Sequence, residues 1–129
     1  MAKVTKTKKK IIEPIEEVLL TVHSTFNNTI ITASAFVSGN VLGWTSSGQA
    51  GFKGTKKGTP FAATTAMKIL LDKILEYQPK TLHVQVLGAG NGRDAALRAI
   101  AGTGIKIASI KDITPLPHNG TRPKKARRV

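Results

Sequence analysis

The sequence has no cysteine. That removes disulfides, thiolate nucleophiles and cysteine-ligated zinc, and it fits a reducing compartment. Aromatic residues are 5% of the 129 residues, too few for a protein that holds single strands by stacking successive bases. No apolar run approaches the roughly 20 residues that a membrane-spanning helix needs. The lysines of residues 1–10 are not followed by the apolar stretch of a secretory signal. Without arginine they also make a poor transit peptide, so the chain is expected to work where it is made.

Acidic residues are scarce as well: seven Asp and Glu against twenty Lys and Arg. Two-metal phosphoryl hydrolysis needs several carboxylates converging from strand ends, because Mg²⁺ takes hard oxygen ligands. Glu13, Glu16 and Glu17 precede the first strand, Asp72 and Glu76 fall on a helix, Asp94 at a helix start and Asp112 late in the last strand. Their scatter argues against an enzyme. The helix dipole explains Asp94, and strand-end solvation is the expected role of Asp112. His23, His83 and His118 lie far apart with no second ligand at metal-binding spacing, and structural roles are expected for the first two. The glycines at 88, 90 and 92 imitate a dinucleotide fingerprint, but Arg93 stands where its third glycine belongs. Neither a metal, a cofactor nor a small-molecule substrate is expected.

What the sequence does contain is positive charge, net +13, distributed unevenly. Residues 1–10 hold Lys3, Lys6, Lys8, Lys9 and Lys10 with no acid, and residues 118–129 hold Arg122, Lys124, Lys125, Arg127 and Arg128, again with none. The 107 residues between them carry ten bases and seven acids. A near-balanced body with a cationic arm at each end is built to meet a polyanion. A membrane surface fits poorly, since neither arm has the apolar face that would bury into lipid.

The pattern along the chain predicts α/β structure. Residues 1–12 read as a disordered basic arm, residues 13–117 as a single RNA-binding domain, and residues 118–129 as an extended basic tail that prolines hold away from the body. Val18 to Thr25, Thr29 to Val37 and Val41 to Thr45 are strand-like. The turn at Phe26-Asn27-Asn28 is attributed to asparagine, which tolerates positive φ and closes local hydrogen bonds. A glycine-rich loop, Ser46 to Thr59, leads into a helix with Thr59 as N-cap and Pro60 in its first turn. Ala62, Ala66, Ile69, Leu70, Ile74 and Tyr77 form its apolar stripe, and Gln78-Pro79 ends it. A strand (Thr81 to Leu87), a glycine turn (88–92), a short helix (Arg93 to Ala101) and a last strand (Ile105 to Ile113) follow. Right-handed crossovers then give a mixed five-stranded sheet in the order 3-2-1-4-5 with two helices packed against it, an order also found in ribonuclease-H-like enzymes.

Two segments suit a folded RNA. In Gly51 to Ala63, Lys53, Lys56 and Lys57 sit among Gly54, Thr55 and other small residues that let backbone approach phosphate, and the loop runs into a helix N-terminus. Phe52 either stacks on an exposed base or anchors the loop in the core. At Gly88 to Arg93, Asn91, Gly92 and Arg93 combine a glycine turn, a helix start and a cation. With few aromatics, recognition of shape and phosphate is favoured over base readout.

The blocks STFNNTII (24–31), NVLGWTSSGQAGFKGTKKGTPFAA (40–63), GAGNGRDAALRAI (88–100) and DITPLPHNGTRPKKARRV (112–129) closely resemble the universal small-subunit ribosomal protein S-eleven family, in its order and spacing. The resemblance implies a ribonuclease-H-like topology without its active site, located on the platform of the small subunit. It implies binding to small-subunit ribosomal RNA, contacts with neighbouring ribosomal proteins and a position near the messenger exit region. The location would be a bacterial cytoplasm or an organellar matrix or stroma. By motif match, the FNN turn with Asn27 and Asn28, the lysine loop, the GNGR turn and the tail from His118, Asn119 and Gly120 through Arg128 face RNA. The chain departs from the family in its acidic approach (Glu13, Glu16, Glu17) and in Thr121, where many members have cysteine. Asn119-Gly120 is sterically open to attack by backbone nitrogen, which makes Asn119 a candidate for conversion to aspartate or isoaspartate. A simple turn is the alternative reading of the same pair.

Overall fold

The computed structural model describes residues 14–128; the expected N-terminal arm, with Lys8, Lys9 and Lys10, lies outside them. Strands β1 (Glu17–Ser24), β2 (Thr29–Ala35) and β3 (Val41–Ser46) precede helix α1 (Pro60–Ile74). Then come β4 (Thr81–Leu87), α2 (Gly92–Ala101) and β5 (Lys106–Asp112). The strands form one sheet in the order β3-β2-β1-β4-β5. The first three pair antiparallel, and β4 lies parallel to both β1 and β5. The expected mixed α/β sheet with two helices is present.

Alternation explains which face is covered. Val18, Leu20 and Val22 of β1, Ile31 and Ala33 of β2, and Leu82, Val84 and Val86 of β4 all point to one side, where they join a buried cluster with both helices. Full burial of a side chain of this size contributes roughly 1.5–3 kcal/mol. The opposite face carries Thr21, Thr32, Ser34, His83 and Gln85, none of them buried. There His83 is held by Ser109, whose Oγ is 3.0 Å from Nδ1, and by the Phe36 ring stacked at 4.0 Å. His83 thus has the structural role expected of it. His23 is exposed at the end of β1, so the packing expected for it is not found.

The α1 stripe is broader than its periodicity implies. Ala63, Met67 and Leu71 are buried beside Ala62, Ala66, Leu70 and Ile74, whereas Ile69 and Tyr77 are only half-buried. The helix packs against the sheet on one flank and α2 on the other, which buries two neighbouring rows instead of one. Its start is as expected: Pro60 opens it and the Thr59 hydroxyl accepts the Ala62 N–H at 3.3 Å. Its last turn tightens to 3₁₀ geometry over Leu75–Tyr77, and left-handed Gln78 (φ 51°) ends it. A second 3₁₀ turn, Gly54–Gly58, orders part of the loop before α1.

β3 and β5 form the two edges of the sheet. The ladder between β2 and β3 shifts register between Ala33 and Ser34, and β5 carries Lys106 and Lys111. Among the described residues no helix is long and apolar enough to cross a membrane. Leu70 is fully buried where α1 meets the sheet. Leu70→Ala is expected to cost about 2–5 kcal/mol in urea unfolding. Asp72→Ala, at an exposed position of the same helix, should stay within about 0.5 kcal/mol.

Candidate nucleic-acid interface

The turn between β1 and β2 is organised by a threonine. The Thr25 hydroxyl oxygen accepts the backbone N–H groups of Asn27 (3.3 Å) and Asn28 (3.1 Å). The Thr25 N–H donates to the Asn28 carbonyl at 2.8 Å. The Asn28 Oδ1 in turn accepts the N–H of Thr29 at 2.8 Å. Local side-chain closure was expected here; positive φ was not needed, since Gln78 and Asn119 are the non-glycine residues that show it among those described. With the Thr25 hydroxyl also donating to the Asn28 carbonyl at 3.1 Å, five bonds over five residues leave this turn little freedom, and they commit one side of Asn28 to the backbone.

Three consecutive carbonyls of this turn are each met by a glycine from elsewhere. A Cβ on Gly88 would strike the Ser24 oxygen, one on Gly90 the Thr25 oxygen, and one on Gly58 the Phe26 oxygen. A hydrogen bond from the Gly90 N–H to the Ser24 carbonyl, 3.0 Å, fixes one of these contacts. The FNN turn, the lysine loop and the GNGR turn, read separately in the sequence, therefore converge at one end of the sheet.

The expected site residues take unequal positions there. Asn27, Lys53, Gly54, Thr55, Lys56 and Asn91 are exposed, and Lys57 is half-buried. None of the three lysines pairs with an acid among the described residues. Gly92 is a correction: it is buried, and a Cβ there would collide with the Thr29 hydroxyl and the Ala63 methyl. It lets α2 pack closely instead of facing solvent. Phe52 is half-buried with its ring edge-on to the exposed Phe61 at 5.8 Å. Phe26, part of the FNN turn that motif match turns toward RNA but given no role of its own in the sequence, is 73% exposed at the tip of the turn.

Arg93 also departs from expectation. The Arg93 guanidinium donates to the Gly88 carbonyl at 3.2 Å and to Asp112 Oδ2 at 2.9 Å. The other Asp112 oxygen accepts the Thr114 hydroxyl and N–H at 2.6 and 3.0 Å. The Thr114 hydroxyl oxygen accepts the Gly88 N–H at 3.1 Å. This clasp joins the GNGR turn to the point where the C-terminal segment leaves the sheet. Arg93 thus spends much of its hydrogen-bonding capacity inside the protein, and Asp112, exposed at the end of β5 as expected, is an ion-pair partner as well. Beyond it, residues 113–128 form neither helix nor strand, and all past Ile113 are exposed, including His118, Gly120 and the five cations. Asn119 has φ 60°, the left-handed conformation that the turn reading of Asn119-Gly120 requires. Among the described residues, no three His, Asp or Glu side chains come together to hold a metal ion.

The Thr114 hydroxyl, the Thr114 N–H and then Arg93 hold the Asp112 carboxyl down from 3.8 to about 2. Lowering a carboxyl's pKa on folding adds stability that is complete above its unfolded value and lost as pH falls through the folded one. Asp112 should therefore contribute fully above about pH 4 and lose its contribution as pH falls to about 2. Asp112→Asn is expected to remove that part of the acid dependence. Acid-unfolding curves of the two proteins, compared by circular dichroism, measure it.

The family model for Ribosomal protein S11 matches residues 19–128. Proteins named small ribosomal subunit protein uS11 from Acinetobacter baumannii strain AYE, A. baumannii strain SDF and Acinetobacter baylyi are each 48% identical over 129 residues, covering the whole of both chains. The resemblance read from four sequence blocks holds across the described sheet, both helices and the tail, and the chain belongs to the ribosomal protein S11 family.

Proposed function

We propose that this chain is a structural, non-catalytic constituent of the small ribosomal subunit that binds small-subunit ribosomal RNA. One observation carries the reading: the three loops and the tail root meet at a single end of the sheet, where unpaired lysines face outward. Its relatives' name, small ribosomal subunit protein, gives the assembly. Lys53, Lys56 and Lys57, with the tail cations Arg122, Lys124, Lys125, Arg127 and Arg128, neutralise phosphate; Asn27, Asn91, His118, Asn119 and Gly120 contact sugar and phosphate oxygens. Lys8, Lys9 and Lys10 extend this footprint from the N-terminal arm. Phosphate contacts position a protein without reading bases, so the RNA is recognised by shape.

The finer parts of the proposal are a ribonuclease-H-like classification of the fold, flexible tails, a platform location, neighbouring ribosomal proteins as further partners and messenger passing close by. The expected compartment is a bacterial cytoplasm or an organellar matrix or stroma. Deamidation of Asn119 would place negative charge within the cationic tail and weaken its grip. Peptide mapping of aged protein that finds Asn119 wholly unmodified would dispose of that idea.

Sedimentation of tagged chain through a sucrose gradient tests the assignment directly: it should travel with small subunits. Deleting residues 118–129 should leave the domain folded while lowering affinity for purified small-subunit ribosomal RNA. Each neutralised phosphate adds about 0.7–0.9 to the logarithmic salt slope, so losing five cations should reduce it by up to about 4.5. Equal affinity and slope in the truncated protein would refute the role of the tail.

A further inference from the structure

We propose that Phe26 is a base-stacking contact: its ring takes the face of an unpaired nucleotide base in the bound RNA. The inference rests on the RNA-binding reading above and adds the kind of nucleotide engaged and the residue that engages it.

Three observations point to this residue. First, its ring is 73% exposed and contributes little to the packing of the domain. Second, the backbone beneath it is fixed on both sides. The Thr25 hydroxyl and the Thr25–Asn28 backbone bond close the turn, and Gly58 lies against the Phe26 carbonyl so closely that a side chain there would collide. A phenyl ring has few torsions to order, so presenting it on a rigid turn lowers the entropic cost of contact. Third, its surroundings suit RNA. Gly58, which braces Phe26, closes the 3₁₀ turn that carries Lys56 and Lys57, while exposed Asn27 follows it with an amide able to reach a base edge or phosphate. Folded RNA is contacted most specifically where loops and bulges splay bases out for stacking on aromatic side chains.

The lysines also decide between RNA and a protein pocket as the occupant. A ring destined for an apolar pocket would be expected among residues that desolvate easily. Lys53 and Lys56 are exposed and, with Lys57, lack an acidic partner among the described residues. A polyphosphate fits them, and a base beside that backbone fits the ring. Phe61, 71% exposed beside the lysine loop, faces Phe52 edge-on, whereas no ring-to-ring contact involves Phe26 among the described residues.

The test uses the full chain and purified, protein-free small-subunit ribosomal RNA. Phe26→Leu keeps apolar bulk and removes the aromatic face; Phe26→Trp enlarges that face. Neither change touches the bonds that hold the turn, and unchanged urea midpoints verify that both fold. Phe26→Leu should weaken binding by about 5- to 150-fold, the range for loss of one stacked base. Its salt slope should match the original chain, because no phosphate contact is lost. Phe26→Trp should bind at least as tightly as the original. A Lys53/Lys56/Lys57→Ala variant should instead lower both affinity and slope. Full affinity in Phe26→Leu alongside weakened binding in the lysine variant overturns the stacking role and leaves the RNA-binding reading standing. Full affinity in both overturns the lysine-loop reading as well. Full affinity for naked RNA with failure to enter small subunits assigns Phe26 to a protein neighbour, which also overturns the proposal.

Discussion

The carbonyl groups of Ser24, Thr25 and Phe26 set the geometry of the whole outward-facing end of this protein. Each is approached by backbone that tolerates no side chain, at Gly88, Gly90 and Gly58 respectively. Glycine in a lysine-rich loop invites the idea of close approach to a ligand's phosphates. At Gly58 the close approach is to the protein itself. Three loops that are far apart in the chain become one surface because their main chains touch, and main-chain contact is stiffer than side-chain contact. Cations carried on flexible stems are thereby mounted on a base that does not shift, and the cost of organising them is met when the domain folds.

Charge is divided according to the same logic. The body is nearly neutral, and two of its acids are paired with its own bases. Asp112 binds Arg93 and Thr114 at the root of the tail. Glu16 meets Lys80, whose side chain lies 3.5 Å away at the start of β4. An exposed pair of that kind contributes little to stability, but it keeps a carboxylate occupied at the end of β1 away from the lysine loop. The bases of the loop and the tail have no such partners among the described residues. A polyanion therefore meets few competing carboxylates at this end of the sheet.

The fold was largely legible because its signals are local. Alternating residues in Val18–Ser24 and Leu82–Leu87, a short turn between β1 and β2, and Thr59-Pro60 before an apolar stripe lead to the observed strand order. The breadth of the α1 core was not legible, since the contact with α2 that buries Ala63, Met67 and Leu71 depends on where a second helix lands. The site divides the same way. Exposed lysines and a proline-spaced tail announce themselves through composition. The Arg93–Asp112 pair spans nineteen positions and has no sequence period. The burial of Gly92 depends on Thr29 and Ala63, neither of which neighbours it in the chain. Asn27 and Asn28 were recognised as a turn for a reason that proved only half right, because the adjacent threonine does most of the closing.

The edges of the sheet have a bearing on the life of this chain before it meets RNA. An open strand edge is a template on which further copies can add, and an unassembled chain is exposed to that risk. β5 carries Lys106 and Lys111 on one edge, and β3 joins the other through a shifted register. Both features discourage growth of a sheet from chain to chain. Residues with no evident duty toward a ligand thus keep the unassembled protein dispersed, so that the surface built from its loops is still available when a nucleic acid arrives.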